Sequence, residues 1–198
     1  RRGHAVTVVV PVKGALAAWW RNRVHTGPEW MPGLEARIRW VTEWSGARVP
    51  EGDVVVATSW QSVEAVAAAP ARCGRKFYFI QHYESLYHGD PARVDATYRL
   101  PLRKIVISTW LADVMAERFE SPAAVLVTPV DPALFHPLPG EADDTLRVLM
   151  LFHEYAWKGV PDGLEAFARV KARHPELRLV GFGVKRPPRK LPFADPGR

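Results

Sequence analysis

Apolar positions along this chain follow two rhythms in turn. Short runs rich in β-branched and aromatic residues occur at residues 5–10, 37–42 (RIRWVT), 53–57 (DVVVA), 76–81 (KFYFIQ), 103–107 (RKIVI) and 124–128 (AVLVT). Their near-continuous apolar centres predict strands covered on both faces. Helical spacing fills the intervals. Thr58 and Gln61 form a capping box before an alanine-rich helix ending near Ala69, and Ser108 or Thr109 caps a helix with Leu111, Val114, Met115 and Phe119 on one face. Further on come a strand at 146–152 (LRVLMLF), a helix over about 160–173 with Val160, Leu164, Phe167 and Val170 inward, and a strand at 177–182 (LRLVGF). Such alternation predicts an α/β protein with parallel sheets and right-handed crossovers.

The segment PVDPALFHP, residues 129–137, interrupts this rhythm. Asp131 is placed to cap a single helical turn with Pro132 at its first position, and Phe135 to fold back on Val130 as a hydrophobic staple. Pro137 and Pro139 stiffen the exit, and GEADD at 140–144 is acidic and aperiodic. The expected organisation is a Rossmann-like domain over residues 1–137, a linker at 138–145, and the first βαβ of a second Rossmann-like domain from 146 to 198. The closing KRPPRKLPFADPGR reads as loop.

Composition narrows the classes. The 198 residues suit one domain and part of another, and 47% hydrophobic content provides for a real core. No apolar run approaches the ~20 residues of a membrane-spanning helix. Cys73 is the single cysteine, so no internal disulfide forms, which suits a reducing cytoplasm. A net charge of +6 favours an acidic partner: a phosphate, a nucleotide or an anionic bilayer surface. Scattered basic residues without a recognition motif argue against nucleic acid. The opening RRGHAVTVVVP has neither an initiator Met nor a signal-peptide core, and residues 1–4 read as the end of a helix whose body is absent.

With two Rossmann-like units and a proline corner in view, the chain resembles the middle of a GT-B fold glycosyltransferase of the large group 1 family (family 4). RRGHAVTVVVP is similar to the end of that family's first helix and its second strand. VDPALFHP is similar to its interdomain segment, with Thr128 and Pro129 where Asn and Gly are common. RVLMLFHEYAWKGVPDGLEAFARVKARHPELRLVGFG resembles the first strand, helix and second strand of its donor-binding domain. YFIQHYES and VISTWLADVM are similar to the branch that includes rhamnosyltransferases of bacterial cell-surface glycans.

The resemblance implies transfer of a sugar, with retention, from a nucleotide-diphosphate sugar to a glycan or lipid-linked acceptor. It implies no cofactor and no metal, and a cytoplasmic protein with peripheral contact to the inner face of the membrane. Lys158 and Gly159 stand at the family's Lys-Gly, whose lysine contacts the donor diphosphate; His153 occupies the slot of a common Arg. The ordinary alternative for Lys158 is a solvated residue before a helix. His82, with Gln81, Tyr83 and Glu84, follows a strand at the end where α/β sheets place ligands, and is expected to line the acceptor cleft. A satisfied structural histidine is the competing reading. His82, Glu84, His88 and Asp90 match no standard metal-ligand spacing. Ser59 with Trp60, and Ser108 with Thr109, sit where strands hand over to helices and offer N–H groups to an acceptor, or simply cap. Trp19 and Trp20 beside Arg21 and Arg23 suit sugar stacking, a membrane interface or core packing.

The resemblance also places the family's first strand and glycine-rich loop before Arg1, and its nucleotide-binding Glu pair beyond Arg198. The chain alone is therefore expected to be inactive. Two other classes stay open: a nucleotide-sugar epimerase on the same fold, and a non-catalytic binding module or truncated product.

Overall fold

A computed structural model describes residues 3–24, 35–137 and 145–183. The basic tail and almost all of the expected linker lie outside them. The chain forms two compact units, Arg1–Val130 and Asp131–Arg198.

The first unit runs β1 (Thr7–Pro11), α1 (Ala15–Val24), β2 (Arg37–Val41), β3 (Val54–Ala57), α2 (Trp60–Ala67), β4 (Arg75–Ile80), α3 (Pro91–Tyr98), β5 (Arg103–Val106), α4 (Thr109–Phe119) and β6 (Ala123–Val125). β1 and β2 form one parallel pair, and β3-β4-β5-β6 form a four-stranded parallel sheet in that order. The second unit holds β7 (Arg147–Leu151), α5 (Val160–Lys171) and β8 (Arg178–Phe182), with β7 and β8 parallel. The architecture is thus α/β with parallel sheets, of the kind a Rossmann-like fold uses.

Strand register explains where the core sits. Ala57, Tyr78, Ile80 and Val106 share one face of the four-stranded sheet, and all four are buried. Against them pack Val63 and Val66 of α2, Val94 and Tyr98 of α3, and Leu111, Met115 and Phe119 of α4. The opposite face carries Val54 and Val56, 49% and 43% exposed, with Phe77, Phe79 and Ile105 half-buried. Burial of these strands on both faces was expected; among the described residues helices pack on one face, and the other is partly exposed. Their continuous apolar runs therefore leave a hydrophobic face that helices α2 to α4 do not reach.

Several local expectations change for reasons of competition. The Thr58–Gln61 capping box does not form: Ser59 is the N-cap of α2, extended at φ −154, without a side-chain cap bond. The Trp60 N–H instead donates to the Glu84 carboxylate at 3.0 Å, so a residue distant in sequence takes the helix start. Helix α3 is a further element that periodicity did not single out. Asp90 accepts from the Ala92 and Arg93 N–H groups, with Pro91 in the first turn, so this side chain is a cap. α4 starts as expected, with the Leu111 N–H donating to Ser108 Oγ at 3.2 Å.

The corner also forms as a capped turn. The Ala133 N–H donates to Asp131 Oδ1 at 2.9 Å, and the Leu134 and Phe135 N–H groups donate to the Asp131 carbonyl. Val130 and Phe135 stay 68% and 71% exposed, so the expected staple buries neither. In α5, Phe167 is buried but Val170 is 45% exposed; it lies off the stripe that meets the two strands.

Candidate functional site

Parallel strands deliver their following loops to one edge of the sheet, and in the first unit this gathers three candidate segments. Residues 58–60 follow β3, 81–90 follow β4 and 107–110 follow β5. What these loops expose differs from what the sequence suggested.

Glu84 is buried, and its carboxylate is an internal hub. One oxygen, Oε2, accepts from the Trp60 N–H at 3.0 Å and from the Tyr78 hydroxyl at 2.9 Å. The Glu84 N–H donates to the Tyr98 hydroxyl at 3.0 Å. Tyr78 and Tyr98, both fully buried, stack with ring centroids 5.8 Å apart. Burial, reinforced by the Glu84 charge, pushes the Tyr78 phenol far above its ordinary value; burial pushes Tyr98 up to about 12. Tyr83 is buried too, donating to Asp95 Oδ1 at 3.2 Å, and the Ser85 hydroxyl bonds the same oxygen. Tyr83 and Glu84 thus fasten the loop after β4 to α2, β4 and α3.

The loop leaves Gln81 exposed and His82 half-buried. The His82 ring lies 5.4 Å from His88 edge-on and 6.3 Å from Tyr87, giving a small aromatic cluster of ring N–H and hydroxyl groups. Among the described residues no group of three or more His, Cys, Asp or Glu side chains is arranged to hold a metal ion.

Around this cluster stand the two helix starts. At α2 the Glu84 carboxylate already accepts from Trp60, so this N-terminus is supplied with its own anion. Ser59 contributes its carbonyl to Ser62, N–H and hydroxyl, while its own side chain makes no cap bond. Trp60 Nε1 is buried without a hydrogen-bond partner, and Arg93 stands 5.5 Å over the ring. At α4, Ser108 is half-buried and caps, whereas Thr109 and Trp110 are exposed, Trp110 by 54%. The groups offered outward are therefore Gln81, His82, Ser59, Thr109 and Trp110.

The second unit carries its own candidate. β7 ends at Leu151, and the loop to α5 holds His153, Tyr155, Trp157, Lys158 and Gly159. His153 Nδ1 accepts from the Tyr155 N–H at 3.1 Å, which leaves Nε2 as its outward group. The rings form a ladder: His153 to Tyr155 is 4.5 Å, and Tyr155 stacks on Trp157 at 4.3 Å and 19°. Lys158 is exposed at the end of a one-turn helix, and Gly159 caps α5 at φ 64, a left-handed conformation that suits glycine. Pro161 removes one N–H from the first turn, and Asp162 places a carboxylate there. The positive charge at this corner is thus Lys158.

No protein family matches this sequence, and neither does any curated protein.

Proposed function

We propose that the chain is the acceptor-side Rossmann-like domain and the beginning of the donor-binding domain of a retaining GT-B glycosyltransferase. The donor is a nucleotide-diphosphate sugar and the acceptor a glycan or lipid-linked glycan, as in cell-surface polysaccharide assembly. The observation that carries the reading is Lys158–Gly159: an exposed ammonium and a left-handed glycine where a parallel strand passes into a helix, the position that favours phosphate groups. Lys158 offsets charge on the leaving diphosphate, and His153 Nε2 donates or accepts beside it. On the first unit, His82 and Gln81, with Ser59, Thr109 and Trp110, meet acceptor hydroxyls. Glu84 and Tyr83 act as supports for that loop and Ser108 as a cap, which revises their expected direct contacts.

Among the described residues no helix is long and apolar enough to cross a membrane. The exposed Leu16, Trp20 and Val24 of α1, spaced four residues apart beside Arg21 and Arg23, suit peripheral contact with an anionic bilayer.

The test titrates the 198-residue chain with uridine and deoxythymidine diphosphates, followed by calorimetry and backbone resonances. Expected is weak binding that shifts residues 153–163 and falls about tenfold in Lys158→Gln, a loss of roughly 1.4 kcal/mol. Absence of binding at millimolar nucleotide, or equal binding by Lys158→Gln, would overturn the reading and favour a non-catalytic binding module.

A further inference from the structure

Between β7 and α5 the contacts converge on Tyr155. Its N–H donates to His153 Nδ1 at 3.1 Å, and its carbonyl accepts from the Lys158 N–H at 3.0 Å. Its backbone is extended, at φ −76 and ψ 125, where the one-turn helix Ala156–Lys158 begins. Two rings brace its own: His153 at 4.5 Å between centroids, and Trp157 at 4.3 Å and 19°. One residue thereby ties both groups proposed to meet the donor diphosphate, His153 and Lys158, into a single turn.

The brace is not a core. Tyr155 keeps 46% of its surface exposed and Trp157 40%, so the rings are held by one another at the surface. A ring clamped in this way has little freedom left to lose, which lowers the entropy cost of any contact its tip makes. That tip, the phenol hydroxyl, is the one polar group of Tyr155 that makes no hydrogen bond among the described residues. The chemistry of the corner divides accordingly. Lys158 brings an ammonium, and His153, whose Nδ1 is held as an acceptor, carries the proton of its neutral imidazole on Nε2 and so donates. Both suit ionised phosphate oxygens, which only accept. A phenol hydroxyl donates and accepts at once, as a sugar hydroxyl does.

We propose that Tyr155 is a specificity-determining residue of the donor corner: its hydroxyl hydrogen-bonds a hydroxyl of the transferred sugar, while its ring and backbone hold His153 and Lys158 for the diphosphate. In a nucleotide-diphosphate sugar the transferred sugar is bonded directly to the distal phosphate, so a group beside the phosphate contacts meets it before it meets the base. This assignment rests on the transferase reading and adds to it the group that tells a sugar nucleotide from a bare nucleotide.

Calorimetry on the 198-residue chain and two variants tests it, with uridine and deoxythymidine diphosphates compared with uridine diphosphate glucose and deoxythymidine diphosphate rhamnose. The parent chain is expected to bind one of the sugar nucleotides more tightly than its diphosphate. Tyr155→Phe removes the hydroxyl and keeps the ring. It weakens that sugar nucleotide about fivefold, the worth of one neutral hydrogen bond, and changes the diphosphate by less than about twofold. Tyr155→Leu removes the brace: it weakens sugar nucleotide and diphosphate alike, and it shifts the nitrogen resonances of the His153 ring, which Tyr155→Phe leaves in place. The assignment is overturned if Tyr155→Phe weakens both ligands equally or neither, if Tyr155→Leu keeps the parent affinities, or if the parent chain prefers no sugar nucleotide to its diphosphate. In each of these cases diphosphate binding that is lost in Lys158→Gln leaves the transferase reading standing, whereas a parent chain that binds no nucleotide overturns both.

Discussion

Replacing Glu84 by alanine separates a structural hub from a ligand contact. The substitution removes one oxygen that accepts from both the Trp60 N–H and the Tyr78 hydroxyl. Tyr78 is fully buried, so water does not readily replace the lost partner. Leaving a buried donor unsatisfied costs about 1–3 kcal/mol, so two donors and the vacated space together cost roughly 2–5 kcal/mol. Against a typical domain stability of about 5–15 kcal/mol that is a large fraction. Glu84→Gln keeps an oxygen able to accept both bonds and is expected to cost about 1 kcal/mol, the difference between a charge-assisted and a neutral bond. Urea unfolding of the three proteins, followed by tryptophan fluorescence and near-ultraviolet dichroism, reads both values. If Glu84→Ala lies within about 0.5 kcal/mol of the parent chain, the hub does not hold the loop. If Glu84→Gln is as damaging as Glu84→Ala, the charge and not the hydrogen bonds supports the site.

Two further outcomes follow from the same interior. Tyr78 and Tyr98 hold their protons in the folded state above the ordinary phenol value, so stability is intact below about pH 10. Between about pH 10 and 12 the unfolded chain loses protons that the folded chain keeps, and stability falls by about 1.4 kcal/mol per pH unit for each phenol. Lys104, whose burial lowers its pKa, works in the opposite direction. Melting curves from pH 9 to 12 should therefore decline beyond pH 10, and Tyr98→Phe should flatten that decline; an unchanged profile would count against it. Gly74→Ala is expected to destabilise by more than about 3 kcal/mol, because residue 74 has φ 74 and an added Cβ would lie 2.1 Å from the Asp53 carbonyl oxygen. Denaturant midpoints check this, and a change under 1 kcal/mol would mean that the turn before β4 shifts freely.

The sites were legible to different degrees. His82 could be singled out as a candidate because it follows a strand at the end where α/β sheets place ligands, whereas Lys158 was singled out by the resemblance of Lys158–Gly159 and its neighbours. The competition for Glu84 was not. Its carboxylate reaches Trp60, distant in the chain, and only folding decides whether Thr58 or Glu84 satisfies the start of α2. Asp90 shows the converse. Asp-Pro at a helix start is a local capping signal, and Asp90, which with the nearby histidines matches no metal-ligand spacing, caps α3.

The sequence alone determined the alternation of strands and helices, because runs such as RKFYFI and RKIV and the stripe Leu111–Met115–Phe119 encode their periods within a few residues. It likewise determined the capped turn at Asp131. Tertiary structure decided which face of each strand is covered, since an apolar run looks the same whether one side or both meet a helix. It also decided that Glu84 and Tyr83 point inward. Those outcomes depend on groups brought together from distant parts of the chain, and no local pattern contains that distance.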